Sequence, residues 1–354
     1  MGLFDGMLSD SESLFNNEIA LDYDFMPKLI PYRDKEQFQI AACIKPLFQQ
    51  RNGSNCLVYG NPGVGKTVAT KNVIREIEEQ TDEILPIYVN CWSANSTYKI
   101  ILEMCEALNY KLTMNKNTVE LMRIIVEKLN AKGISSVLIF DEIDKATDLD
   151  FLYTLLEKVY RKSIVLITNY KKDVLTMDER IKSRLVPQTI EFKPYNANEI
   201  AGILKQRRDF AFVPGVWDEE AFKKAVAKTA ELEDVRKGLY LLREAGNSAE
   251  QKSVKKITVE HVDSAMQKLD SFSNITGLDG DDEKVLELIK NNSQSKIGDL
   301  FKMYQKMGGK ASYRTFQRKI DKLERAKLIN VEHTKGGEQG NTKILSYSKK
   351  LTDY

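Results

Sequence analysis

Gly60-Asn61-Pro62-Gly63-Val64-Gly65-Lys66-Thr67 decides the fold of this 354-residue chain. The stretch fits G-x-x-x-x-G-K-[ST], follows the apolar run Cys56–Tyr59 and opens a helical pattern at Val68. A strand, a glycine-rich turn and a helix in that order make a phosphate cradle. Gly60, Gly63 and Gly65 let successive backbone N–H groups curl around an anion, and the helix N-terminus adds positive potential. Lys66 is expected to reach the β- and γ-phosphates, and Thr67 to offer its hydroxyl to Mg²⁺. The competing reading is a plain Gly-Pro turn between strand and helix.

Outward from the loop, short β-branched runs alternate with helical patterns. Cys56–Tyr59, Leu85–Val89, Ser136–Phe140, Ile164–Thr168 and Thr189–Phe192 are mostly apolar, as strands buried on both faces of a parallel sheet are. Val68–Glu79, Thr97–Ala107, Thr118–Asn130 and Leu149–Tyr160 suit right-handed crossovers. A doubly wound α/β domain is predicted over 26–193, behind an acidic arm at 1–25. The strand pattern Val137–Phe140 ends in Asp141-Glu142, at the sheet edge where ligands bind. Asp141 is expected to hold Mg²⁺ and Glu142 to polarise the attacking water. The spacing from Lys66 allows Asp141's strand to lie beside the loop's strand. Asn169 ends the next strand, where its amide would orient water against a γ-phosphate. Arg180 and Arg184 are candidate arginine fingers for a neighbouring subunit's nucleotide. Arg236, in Glu233-Asp234-Val235-Arg236, would reach the γ-phosphate across a domain cleft. For Asn169 the alternative is a strand-ending turn; for the arginines it is a solvated surface charge.

After Pro194 the β-type runs stop. Asn196-x-x-Glu199 reads as a capping box, and helices follow at Asp218–Thr229, Glu233–Ala245 and Val259–Leu269, the last with Thr258 as N-cap. This predicts a helical lid domain at 194–272, with linker composition at 273–280. Three helices (Asp281–Lys290, Ile297–Met307, Ser312–Ala326) and a hairpin pattern (Leu328–Glu332, Lys343–Tyr347) then predict a winged-helix domain at 281–350. In its third helix Tyr313, Phe316, Ile320 and Leu323 recur on one face, away from Arg314, Arg318, Lys322 and Arg325. Such a helix enters the major groove with its N-terminal side chains near base edges. Ser312, Tyr313, Arg314 and Arg318 are the candidates there, with Tyr313 also a candidate for the core. Lys335, Gln339, Asn341 and Lys343 are candidates on the wing for phosphates or a minor groove. A winged helix that docks protein is the other reading.

Formal net charge is only +2, but the balance is uneven. Residues 1–24 hold six acids and no Lys or Arg, whereas 284–352 hold 16 Lys/Arg against 6 Asp/Glu. That local excess favours nucleic acid as the partner of the last domain. The four cysteines form no C-x-x-C pair, which suits a reduced, cytoplasmic protein. Two histidines make a zinc site or a His-based triad a poor expectation. No apolar stretch approaches a membrane span, and the first residues lack a signal pattern.

From Leu14 to Tyr347 the chain resembles the archaeal replication initiators of the origin-recognition and cell-division-control type, within the AAA+ ATPases. The resemblance is carried by Leu14-Phe15-x-x-Glu18, Pro31-Tyr32-Arg33-Asp34, the phosphate loop, Val89-Asn90-Cys91 and Asp141-Glu142-Ile143-Asp144. Phe192-x-Pro194-Tyr195-Asn196-Ala197-x-Glu199, Ala211-Phe212-x-Pro214-Gly215 and Asp234-x-Arg236 continue it. It implies an ATP-controlled protein that binds origin duplex DNA, helps load the replicative helicase and works with other initiator subunits near the nucleoid. It also implies that Val64, Val68, Tyr195 and Arg207 contact ATP or ADP, with Asn169 as first sensor and Arg236 as second. Tyr98 and Lys99, on a helix the family inserts, are possible DNA contacts. The chain departs from the family pattern at Glu233, where the second-sensor motif usually has Gly, at Tyr170, which is often acidic, and in a short wing. A regulatory paralogue that keeps nucleotide without hydrolysing it, and an ATPase loader whose winged helix docks protein, remain the alternatives.

Overall fold

Five strands pair in parallel in the order β2-β3-β4-β1-β5: β1 Cys56–Tyr59, β2 Ile84–Asn90, β3 Ser135–Asp141, β4 Lys162–Thr168 and β5 Gln188–Glu191. The computed structural model describes residues 13–170, 177–276, 280–292, 294–309, 311–325, 329–334 and 342–347. Two units are distinguished, Met1–Asp263 and Ser264–Tyr354.

Every residue of β3 is buried, and β4 is buried from Ser163 onward. That two-sided burial gives the apolar runs their central places. The expectation that Asp141's strand lies beside the loop's strand is corrected here. β4 stands between them, with Val165 paired to Cys56 on one side and to Ile139 on the other. Helices cover both faces. α1 (Asp34–Ile44) and α2 (Lys66–Gln80) bring Ile40, Val73 and Ile77 against Val58, Val137, Ile139 and Ile167. α3 (Thr97–Ala107), α4 (Thr118–Leu129) and α5 (Asp150–Lys158) bring Ile100, Leu121, Ile125 and Phe151 against Leu57, Leu138, Phe140 and Leu166. Each fully buried Leu, Ile or Phe contributes about 1.5–3 kcal/mol relative to exposure. α6 (Glu179–Leu185) precedes β5.

The lid is built from α7 (Ala197–Ala211), α8 (Glu219–Leu232) and α9 (Val235–Gln251), and α10 (Val259–Thr276) follows. The capping box forms: Glu199 N–H donates to Asn196 Oδ1 at 3.0 Å, and Glu199 Oε2 accepts from Asn196 N–H at 2.9 Å. Thr258 N–H donates to His261 Nδ1 at 3.0 Å, so a histidine supplies one half of a capping box at the start of α10.

Residues 13–25, read from their acids as part of an arm, are packed. Leu14, Ala20 and Leu21 are buried while Glu18, Asp22 and Asp24 face outward. Phe15 bridges Phe212 in antiparallel fashion with ring centroids 4.6 Å apart. Ser13 Oγ and Leu14 N–H both donate to Glu250 at 2.8 Å. Charge patterning hid a buried apolar set spaced through the segment.

The second unit contains α11 (Gly280–Asn291), α12 (Ile297–Lys306) and α13 (Tyr313–Arg325), with β6 (Ser295–Lys296), β7 (Ile329–Thr334) and β8 (Thr342–Tyr347) in the antiparallel order β6-β8-β7. This is the element order of a winged helix, with β6 an unanticipated third strand. Phe316, Ile320 and Leu323 of α13 pack with Val285, Ile289, Leu300 and Leu345. Residues 273–276, read as linker, are helical because α10 runs to Thr276. Of the rest, 277–279 lie outside the described residues and Gly280 opens α11. Among the described residues no helix is long and apolar enough to cross a membrane.

Candidate nucleotide-binding site

One cavity of about 450 Å³ collects the chemistry anticipated from the loop. Gly63, Gly65, Lys66, Thr67, Val68, Asp141, Glu142, Asn169, Tyr195, Arg207 and Arg236 all line it. β1 aims the loop into the cavity, and α2 begins at Lys66 with its N-terminal N–H groups toward it. Two glycines are required by close approach. A Cβ at Gly60 would overlap the carbonyl oxygen of Phe192 at the end of β5, and one at Gly63 would overlap the Asp234 carboxylate of the lid. Gly63 also has φ +79°, a region that other residues rarely adopt.

Lys66 is buried, and its ammonium donates to the carbonyls of Gly60 at 2.7 Å and Asn61 at 3.0 Å and to Asn169 Oδ1 at 3.0 Å. Burial lowers its pKa to about 8, a fall opposed by the nearby Asp141 carboxylate. β4's insertion between β1 and β3 is what brings Asn169 to the lysine. Asp141 is 2% exposed and fully engaged. Its Oδ2 accepts from Thr67 Oγ1 at 2.7 Å and Tyr88 Oη at 2.8 Å, and its Oδ1 accepts from the Glu142 N–H at 2.8 Å. Glu142 has a positive φ of 53°, which turns the chain out of β3 at the cavity. Burial first, then the Asp141 and Asp144 carboxylates, raise the Glu142 pKa.

Arg236 lies on the lid's contribution to the cavity, with its Nε 3.3 Å from Asp234 Oδ1. Asp234 caps α9 through the Arg236 N–H at 3.0 Å. Arg207 lines the cavity but is directed elsewhere. It donates to the carbonyls of Ala20 at 3.0 Å and Phe25 at 3.2 Å, which ties α7 to the packed N-terminal segment. Tyr23, Asp24, Pro27, Ile30 and Pro31 complete that wall. Val64 and Gly60 contribute backbone carbonyls to neighbours and do not line the cavity: Val64 O accepts from Arg33 Nε at 3.1 Å.

Arg33 is a residue that motif reading missed in this role. It is 4% exposed, donates to Val64 O and Lys193 O, pairs with Glu36 at 2.9 Å, and lies 3.8 Å from the Tyr195 ring centroid. It therefore couples the loop to Tyr195. Tyr88 was also missed, because β2 was read only as a buried strand. Arg180 and Arg184 do not line the cavity. Arg180 pairs with Asp178 at 3.0 Å, and Arg184 stacks over Tyr153 at 4.7 Å.

In the second unit, Ser312 is an N-cap: its Oγ accepts from the Thr315 N–H at 3.3 Å. Tyr313 is 41% exposed and packs edge-on against Phe301 at 5.0 Å, so it serves both surface and core. Arg314 and Arg318 are exposed. Lys322, read as surface charge, pairs with the buried Asp282, as Lys319 does at 2.7 Å. Lys343 pairs with Asp321 at 3.2 Å. Lys335, Gln339 and Asn341 lie outside the described residues.

The sheet order, the loop and the lid-borne arginine define an AAA+ protein. Family models agree: one of the AAA domain matches residues 49–171, and one of the Cdc6 AAA+ ATPase-type lid domain matches residues 201–267. The ORC1-type DNA replication protein 1 of Sulfurisphaera tokodaii is 30% identical over 360 residues, covering 95% of this chain and 90% of that protein. The ORC1-type DNA replication protein 1 of Sulfolobus acidocaldarius is 29% identical over 369 residues, covering 97% and 93%. A structure of the Aeropyrum pernix ORC1 protein in complex with DNA superposes with a TM-score of 0.73 at 26% identity, covering 96% of this chain and 94% of that one. The chain belongs to the family of ORC1-type DNA replication proteins. Membership of the AAA+ ATPases implies nucleotide binding.

Proposed function

We propose that the chain is an ATP-switched replication initiator that binds origin duplex DNA through its second unit and helps load the replicative helicase. The observation that carries this reading is the convergence of Lys66, Asp141 and Asn169 with the lid's Arg236 on one cavity. Occupancy there bears on the lid as well as on the phosphates. The Aeropyrum pernix ORC1 protein, whose structure was determined in complex with DNA, supports DNA as the partner. The domain assignment accompanies it: α/β residues 26–193, lid 194–272 and winged helix 281–350.

The donor set suits Mg²⁺. A hydroxyl and a carboxylate 2.7 Å apart are hard oxygen ligands. Among the described residues no group of three or more His, Cys, Asp or Glu is placed to hold a metal ion. Thr67 and Asp141 would hold the ion, which when bound neutralises charge on the β- and γ-phosphates. Lys66 would exchange its loop carbonyls for phosphate oxygens. Asn169 would orient the attacking water and Glu142 accept its proton as the γ-phosphorus–oxygen bond to ADP breaks. Arg236 would leave Asp234 for the γ-phosphate and draw α9 with it. Arg180 or Arg184, both remote from this cavity, would serve a neighbouring initiator subunit's nucleotide. Arg314 and Arg318 would meet the duplex, with cytoplasmic, nucleoid-associated residence.

Genome-wide mapping of bound DNA, followed by footprinting with and without ATP, tests the reading. Sharp occupancy at replication start sites is expected. Occupancy confined to promoters would overturn initiation in favour of a nucleotide-holding regulator. That second reading draws support from Glu233 and Tyr170, where the chain departs from the family's sensor residues.

A further inference from the structure

We propose that the Tyr88 hydroxyl is a positioning group for the metal-binding carboxylate of Asp141. The inference rests on the reading of Thr67 and Asp141 as the Mg²⁺ site. Tyr88 Oη donates to Asp141 Oδ2 at 2.8 Å, and Thr67 Oγ1 donates to the same oxygen at 2.7 Å. Asp141 Oδ1 is held separately by the Glu142 N–H. Three donors from three elements therefore fix both oxygens of one buried carboxylate.

The arrangement follows from strand register. Tyr88 of β2 pairs with Ile139 of β3, two residues before Asp141 and so on the same face of the sheet. The ring packs with Ile139 and its neighbours in the α1–α2 core, leaving the hydroxyl to reach along the strand. Lys71 Nζ lies 4.7 Å from the ring centroid, one helical turn beyond Thr67 on α2. The phenol is thus clamped between sheet and helix, and its only polar end meets the carboxylate.

The division of labour is chemical. The Thr67 oxygen has a lone pair to give to the ion, whereas Tyr88 Oη stands behind the carboxylate as a hydrogen-bond donor. With Tyr88 in place, Asp141 keeps its rotamer and its second lone pair stays available to a metal-bound water. Without it, Oδ2 keeps only the Thr67 donor in a buried setting, and the carboxylate is held less firmly. Such outer partners typically change metal affinity 10- to 100-fold.

Tyr88→Phe removes the hydroxyl and keeps the ring. ADP affinity is measured by calorimetry in EDTA and in Mg²⁺ for wild type and variant, and Mn²⁺ affinity of the ADP complex by electron paramagnetic resonance. Expected are unchanged ADP affinity in EDTA, roughly tenfold weaker Mn²⁺ binding and a roughly tenfold smaller enhancement by Mg²⁺. Thr67→Ala should lose the enhancement in full. A Y88F chain whose Mg²⁺ enhancement and Mn²⁺ affinity match wild type overturns the inference. So does one that loses ADP affinity equally in EDTA, which would make the hydroxyl a support of the cavity as a whole. A wild-type chain indifferent to Mg²⁺ overturns the metal reading itself, and the Tyr88 role with it.

Discussion

The Lys66 ammonium donates to Asn169 Oδ1 at 3.0 Å, joining the loop after β1 to the end of β4. The cation proposed to bind phosphate and the amide proposed to orient water thus touch each other. Removing each should have different effects. Lys66→Ala deletes charge-assisted contacts and should weaken ADP binding by about 2–3 kcal/mol. Asn169→Ala should leave ADP affinity within about threefold and slow phosphate release roughly 100-fold. Calorimetry and a phosphate-release assay separate the two; equal losses of affinity would contradict the assignment.

In the proposed function Glu142 is the base, so Glu142→Gln should bind ADP as wild type does and hydrolyse ATP roughly 10²- to 10⁴-fold more slowly. Its pKa is raised, so its basic form is lost on acidification sooner than that of an ordinary glutamate. The acid limb of wild-type turnover should therefore lie above 4.5, the group's usual value. A pH–rate profile checks this, and a limb at or below that value would remove Glu142 from the role.

Glu233 ends α8 with φ 51°, in the left-handed region. A side chain there is strained where glycine is not. Glu233→Gly should stabilise the first unit by about 1 kcal/mol in urea unfolding. Loss of stability would show that the carboxylate makes a compensating interaction.

His261 is buried, and its Nδ1 accepts from the Thr258 N–H, a bond that requires the neutral ring. Burial is the first cause lowering its pKa below the usual 6.5, with Lys252 second. Below 6.5 the unfolded chain takes up a proton that the folded chain resists, so folding stability should fall as pH drops through that value. Thermal unfolding of His261→Gln, which can still cap α10, should show a smaller dependence over the same range.

Arg314 and Arg318 are exposed on α13, opposite the buried Phe316 and Ile320. If they meet phosphates, Arg314→Ala and Arg318→Ala should each lower the slope of log affinity against log salt by about 1. Lys322→Ala should act through stability, since Lys322 pairs with the buried Asp282. Circular dichroism and binding titrations at several salt concentrations distinguish these effects.

Much of the site was legible because its chemistry is local. Glycines, Lys66 and Thr67 lie within one turn, and Asp141-Glu142 ends an apolar run. The relations that assemble them are not local. That β4 separates β1 from β3 depends on competing strand pairings more than 70 residues apart in sequence, as the Leu57–Leu166 pair illustrates. Arg33 and Tyr88 carry no motif; their roles arise from register and from packing against Tyr195 and Asp141. The segment around Leu14 was misread because its acids have no Lys or Arg beside them to balance the charge, yet its apolar residues decide where it packs. In α13 the 3-4-3 spacing placed Phe316, Ile320 and Leu323 correctly, whereas the partners of Lys322 and Lys343 needed three dimensions.

β1 finds both its neighbours late in the chain: Cys56 pairs with Val165 and with Gln188. A ribosome must therefore release roughly a hundred further residues before the strand that carries the phosphate loop has any edge to join. Until then its unpaired backbone is open to wrong partners. The nucleotide cradle is translated early, with only α1 of the sheet domain's α-helices before it, and is among the last parts completed, so a nascent chain would gain the capacity to hold ATP abruptly, when β4 slots into place.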